Sequence, residues 1–204
     1  MTDDAKNREH TEAMKALKAE REAMMAEKTD QAPGLLLVHT GDGKGKSTAG
    51  FGMVARALGW GQHVGVVQYI KGKWITGERQ FFTKRFPDLV RYEVMGEGFT
   101  WDTQDRERDI AAARAAWLVS QEMIADPKLD FVLLDEINIA LRYDYLDIDE
   151  VVAALKARPN DKHVCLTGRN AKPQLLEIAD LVTEMTLVKH PFEQGFKAQR
   201  GVEF

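Results

Sequence analysis

Three glycines at alternate positions, Gly41, Gly43 and Gly45, lead directly into Lys46, Ser47 and Thr48, and this run is the strongest chemical feature of the chain. Such glycines reach backbone angles that other residues avoid, so successive N–H groups can converge on one anion. A helix opening near Lys46 would aim its unpaired amides and positive dipole end the same way, worth roughly 0.3–1 kcal/mol per charge near a terminus. Lys46 adds a full charge, and Ser47 a hydroxyl suited to magnesium. The expected ligand is a nucleoside triphosphate held by Gly41, Asp42, Gly43, Lys44, Gly45, Lys46, Ser47 and Thr48. The loop is short by one residue: only Asp42, Gly43 and Lys44 separate Gly41 from Gly45-Lys46-Ser47, and Thr40 stands where an ordinary phosphate loop has its first glycine. A shortened loop should cradle phosphates differently, so cleavage at the γ-phosphate does not follow from it.

A second acidic element is Phe131-Val132-Leu133-Leu134-Asp135-Glu136, an apolar strand ending in two carboxylates that would meet magnesium at the sheet's carboxyl edge. Helix capping is the bland account of the pair. Glu136 reads equally as a metal partner or as the group aligning a water. Lys71 and Lys73 would lie at the same edge, as phosphate partners or as solvated lysines. The loop Gly96-Glu97-Gly98-Phe99-Thr100-Trp101-Asp102 carries two large aromatics that could meet a flat apolar ligand or pack on the core. The five histidines show no pair at metal-ligand spacing. Asp161-Lys162-His163 is faintly like a cobalt-ligating signature, but Leu166 occupies its glycine position. Cys165, the single cysteine, excludes an intrachain disulfide and multi-cysteine zinc sites, and it falls in a buried strand, leaving no nucleophile for covalent catalysis.

These residues need a scaffold, and the hydrophobic pattern supplies one. Apolar runs at Leu35–His39, Val64–Tyr69, Val90–Met95, Phe131–Asp135, Val164–Thr167 and Glu184–Val188 alternate with helical patterns at Ser47–Leu58, Asp105–Ala125, Asp149–Ala157 and Pro173–Ile178. The order predicts an α/β fold: a mostly parallel sheet with helices on both faces, P-loop NTPase-like and RecA-like, plus an N-terminal helical arm. The domains expected are an arm or cap over 1–33 and a catalytic domain over 34–204. In the arm, Met14, Leu17, Met24 and Met25 make a thin stripe that either docks on a body or stays solvated.

The 204 residues are 44% hydrophobic and 29% charged, a composition for one globular domain. A net charge of -4 offers no overall field for nucleic acid. No apolar leader and no run of about 20 apolar residues occurs, so no membrane partner is expected and the cytoplasm is the expected compartment.

Taken together, Thr40 to Thr48, Gln68-Tyr69-Ile70-Lys71-Gly72, Gly98-Phe99-Thr100-Trp101, Leu134-Asp135-Glu136, Thr167-Gly168-Arg169-Asn170, and Lys189-His190-Pro191-Phe192 with Gly201-Val202-Glu203-Phe204 resemble the P-loop type ATP:corrinoid adenosyltransferases. Ser47 stands where that family often has Thr, and Asn170 where it often has Gly. The resemblance implies transfer of the 5′-deoxyadenosyl group of ATP to Co(I) of a reduced corrinoid, with release of triphosphate, in adenosylcobalamin biosynthesis or salvage. It implies catalytic roles for Lys46 and Glu136, magnesium (or manganese) on Ser47 and Glu136, and corrinoid contacts from Phe99 and Trp101 that displace the lower axial ligand. It also implies a flavoprotein electron donor, a homodimer, an arm that caps the corrin, and a C-terminal segment that closes the nucleotide side. The residues alone also admit a P-loop NTPase, a small-molecule kinase, or a nucleotide-gated corrinoid carrier.

Overall fold

The computed structural model describes residues 3–29, 33–70, 75–95 and 105–203. Two compact units divide the chain, Met1–Ala32 and Pro33–Phe204. The first is a single helix, α1 (Asp3–Ala26), with Asp3 and Asp4 in its first turn, where the helix dipole favours negative charge. Pairs one turn apart, Arg8 with Asp4 at 2.9 Å and Lys15 with Glu12 at 2.9 Å, add little each on so exposed a surface. Met14, Leu17, Met24 and Met25 are exposed.

The second unit runs β1 (Leu36–Thr40), α2 (Lys46–Gly59), β2 (Val64–Gln68), α3 (Gly77–Arg85), β3 (Val90–Val94), α4 (Arg106–Ala125), β4 (Phe131–Asp135), α5 (Ile137–Arg142), α6 (Ile148–Lys156), β5 (His163–Thr167), α7 (Pro173–Ile178) and β6 (Leu181–Glu184). Its six strands lie in the order β3-β2-β4-β5-β1-β6 and every pairing is parallel. Connections β1→β2 and β2→β3 run toward one edge of the sheet, and the later ones toward the other. Right-handed crossovers therefore send α2 and α3 to one face and α4 through α7 to the opposite face.

The two-residue period of the strands divides the core accordingly. Leu36, Val38, Val132, Leu134, Val164 and Leu166 pack with Ala116 and Trp117 of α4, Leu141 of α5, Leu155 of α6 and Leu175 of α7. The alternate residues Leu37, Val64, Val66, Leu133 and Cys165 pack with Phe51 and Val54 of α2 and Phe82 of α3. Phe51 stacks between Phe82 and Tyr92, with ring centroids 5.8 and 6.3 Å away. Because both faces are covered, the inner strands are apolar throughout, which is why their runs stood out in the sequence.

Two sequence expectations change. The last strand is Leu181–Glu184, not Glu184–Val188, because it pairs with β1 in the register Leu37↔Leu181 to Thr40↔Glu184 and the ladder ends where β1 ends. Helices α3 and α5 escaped the pattern. The first presents only Phe82 as a buried residue, and the second has six residues, too few to display a period. Among the described residues no helix is long and apolar enough to cross a membrane.

Cys165 is fully buried in β5, and burial pushes its thiol up to about 12, with the negative charge of Asp135 adding to the effect. The thiolate is the reactive form. Native protein is therefore expected to give no reaction with Ellman's reagent at neutral pH over a period in which denatured protein yields one thiol; rapid labelling of the native chain would contradict this burial.

Candidate active site at the carboxyl edge of the sheet

Strands β5 and β1 are neighbours whose outgoing chains leave for opposite faces of the sheet. The crevice between their carboxyl ends is where open α/β sheets take ligands. The glycine-rich turn lies there, between β1 and α2.

Gly41 has φ 93° and Gly45 has φ 110°, the left-handed region, so these two reverse the chain. Gly43 is glycine for another reason. The backbone that follows β6 runs directly behind the turn: Met185 N–H donates to the Thr40 carbonyl at 2.8 Å, and Gly43 N–H donates to the Met185 carbonyl at 2.7 Å. A Cβ on Gly43 would lie 2.5 Å from the Thr186 carbonyl oxygen, so no side chain fits. The Gly43 amide is thus spent on the protein's own backbone, which corrects the expectation that all three glycines aim N–H groups at one anion. The remaining donors are those that open α2, where Gly45 serves as N-cap and its carbonyl accepts from Ala49 N–H at 2.7 Å.

Lys46 is buried, and its Nζ donates to the Gly43 carbonyl at 2.6 Å, spanning the turn. Burial pushes its ammonium below the usual lysine range; the Glu136 carboxylate opposes that shift, and the Arg169 guanidinium adds to it. A buried cation whose charge is poorly compensated is a site awaiting an anion. Ser47 is half-buried at the second helical position, while Asp42 and Thr48 are exposed. Lys44, also exposed, pairs with Glu203 and so ties the turn to the chain's C-terminal end.

The acids of β4 divide their tasks. Asp135 is fully buried; Gln68 Nε2 donates to its Oδ2 at 2.9 Å, and Thr167 Oγ1 donates to its Oδ1 at 2.8 Å. It therefore lies beneath the crevice, committed to β2 and β5, where the sequence placed both carboxylates at the metal. Glu136 is the half-buried residue that turns out of the sheet, with φ 66°, as N-cap of α5. Its N–H donates to Thr167 Oγ1 at 2.9 Å. Gly168, with φ 127°, leaves space for it: a Cβ there would lie 2.8 Å from Asn138 Cβ and 3.2 Å from Glu136 Oε2.

Gln68, Thr167, Arg169 and the 185–186 backbone were not singled out as site residues by sequence reasoning. Gln68 and Thr167 end buried strands, and a polar residue closing an apolar run was the available signal. Nothing local marks the 185–186 segment, since its role comes from the pairing of β6 with β1. His39, on β1 next to Thr167, is buried with neither ring nitrogen partnered among the described residues, and burial lowers its pKa, which favours the neutral imidazole. His163 sits at the opposite end of the sheet, where its Nδ1 accepts from Leu35 N–H at 3.0 Å, a structural role unconnected with cobalt. Lys71, Lys73, Phe99 and Trp101 lie outside the described residues.

The donor set suits magnesium brought by a nucleotide. Among the described residues no three His, Cys, Asp or Glu side chains gather as a metal site. One hydroxyl and one carboxylate flanking a phosphate crevice are what magnesium uses when phosphates and water complete its shell.

Residues 32–204 match the family described as ATP:corrinoid adenosyltransferase BtuR/CobO/CobP. The chain is similar to the corrinoid adenosyltransferase of Pseudomonas aeruginosa, with 57% identity over 199 residues covering 98% of this chain and 97% of that one. It is 50% identical over 171 residues to corrinoid adenosyltransferase CobA of Salmonella typhimurium, covering 84% and 86% of the two chains. To the corrinoid adenosyltransferase of Escherichia coli K12 it is 48% identical over 188 residues, covering 92% and 94%. A match over nearly the whole length, including the glycine turn, the Asp135-Glu136 pair and the segment after β6, places this chain in the ATP:corrinoid adenosyltransferase family.

Proposed function

We infer that this chain transfers the 5′-deoxyadenosyl group of ATP to the Co(I) centre of a reduced corrinoid and releases inorganic triphosphate. The cobalt electron pair forms the bond to C5′. The C5′–O bond breaks, and its electrons pass to the oxygen of the α-phosphate. No proton moves in this step, so Glu136 has no base to supply, and its reading as a magnesium partner gains weight over its reading as a general base.

The observation that carries the reading is the shortened turn around a buried Lys46, with one glycine amide diverted to Met185. It gathers charge to stabilise a whole departing triphosphate without the full set of donors that a γ-phosphate-cleaving loop presents. In this reading Gly41 through Thr48 hold the triphosphate, Lys46 faces the charge that develops as it leaves, and Ser47 and Glu136 bind magnesium. Magnesium, when bound, neutralises part of the triphosphate's charge. Phe99 and Trp101 face the lower side of the corrin and displace its axial donor, which eases one-electron reduction of Co(II) by a flavoprotein. A homodimer working in the cytoplasm completes the picture.

The test is product identity. Incubation with ATP, magnesium and chemically reduced cobalamin is expected to yield triphosphate and a light-sensitive cobalt–carbon product in equal amounts. ADP or pyrophosphate with no such product would indicate a kinase or NTPase. In the same assay Trp101→Ala should lose turnover mainly with Co(II) and a flavoprotein donor, and far less with chemically supplied Co(I); equal losses would remove the role given to Trp101.

A further inference from the structure

We propose that Thr167 is the positioning residue for Glu136, acting through its hydroxyl as the last link of a buried chain that starts at Gln68. The direction of every link is dictated by chemistry. The Gln68 amide donates to Asp135 Oδ2 at 2.9 Å; an ionised carboxylate can only accept, so the Thr167 hydroxyl gives its single hydrogen to Asp135 Oδ1 at 2.8 Å. A lone pair of the same oxygen is then turned toward the Glu136 N–H, which it accepts at 2.9 Å. Gln68 is 1% exposed, and Asp135 and Thr167 are each 0% exposed, so water cannot substitute at any link.

What the chain holds is an unfavourable backbone. Glu136 has φ 66°, a region that non-glycine residues seldom occupy, and no side chain caps the helix it opens. Without an acceptor for its N–H, this residue would relax toward an ordinary conformation, and its carboxylate would swing from the position opposite Lys46. Thr167 is itself fixed, because its Cγ2 packs where α2 crosses at Gly50 and a β-branched side chain has few rotamers. A strand residue behind the crevice thus determines where the half-buried acid points. The inference rests on the assignment of Glu136 to the metal.

Titration of the protein with manganese in the presence of ATP, followed by electron paramagnetic resonance, reads the metal site without requiring corrinoid turnover. Thr167→Val keeps the shape and removes the hydroxyl. It is expected to weaken manganese–ATP binding about 10- to 100-fold, the usual effect of removing a group that orients a metal ligand. Thr167→Ser restores the hydroxyl and should return binding close to that of the unaltered chain. If Thr167→Val melts too low for titration, Thr167→Ser against Thr167→Ala makes the same comparison. Binding unchanged in Thr167→Val but lost in Glu136→Gln would overturn the proposal while leaving the metal assignment standing. Binding unchanged in both would overturn the assignment of Glu136 and the proposal with it.

Discussion

Replacement of Lys46 by alanine is expected to lower the rate of adenosyl transfer by about 100- to 1000-fold or more, the range seen when one charge-stabilising donor is taken from a site of developing negative charge. The same variant should melt no lower than the unaltered chain. The two halves of this expectation share a cause. In the absence of nucleotide, Lys46 is a buried cation whose burial pushes its pKa down against the pull of Glu136, and its ammonium donates to the neutral Gly43 carbonyl. Its charge is costly to the folded state and useful only when triphosphate is present, the pattern of a residue kept for function against stability. Lys46→Met, which retains most of the side-chain volume, separates the effects most clearly. Initial rates from the cobalt–carbon absorbance and melting by circular dichroism measure both halves. A loss smaller than tenfold would move the principal charge stabilisation to another residue.

Asp135→Ala should be the most destabilising single change in the site. It removes the acceptor for two buried donors, the Gln68 amide and the Thr167 hydroxyl, at a position with no exposure to water. Leaving such groups unpaired, together with the cavity from the lost carboxylate, costs about 2–4 kcal/mol. For a chain of this length that corresponds to a fall of roughly 5–12 °C in Tm. Asp135→Asn keeps the volume and one acceptor, and it also removes a buried charge, so it should fall much less. Both variants should lose activity, because a Thr167 hydroxyl released from Asp135 no longer has its lone pair held toward Glu136. Melting curves for the pair in parallel check the order; an alanine variant as stable as the asparagine one would show that the buried chain does not contribute as argued.

The fold was largely legible because inner parallel strands covered on both faces are mostly apolar, and the runs of β1, β2, β4 and β5 announced themselves in that way, while the edge strand β3 showed by its alternation of Val90, Tyr92 and Val94 with Arg91 and Glu93. The sixth, β6, begins three residues and ends four residues earlier than the expected Glu184–Val188. Its four residues are partly exposed at the sheet edge, so its burial pattern is weak, and its limits are set by β1 rather than by its own composition. Helix α3 was missed because most of its residues face water and only Phe82 is buried. In the site, Lys46 and Ser47 could be read directly, since spacing along one turn brings them together. The separation of Asp135 from Glu136 could not, since adjacent residues of a strand look alike until a neighbouring strand claims one of them.

The chemistry that lies within a short stretch of chain was determined by the sequence alone: a glycine turn one residue short, a lysine and a hydroxyl at the start of a helix, and two acids at the end of an apolar strand. Tertiary structure decided what each group does. Backbone after residue 184 takes the Gly43 amide, Gln68 and Thr167 take Asp135, and Glu136 turns out of the sheet as the N-cap of α5, where its charge acts on Lys46. The reason is that a hydrogen-bonding group inside a protein must find a partner wherever the fold brings one, and partners 32 and 67 residues away, or farther as Met185 is from Gly43, leave no local mark.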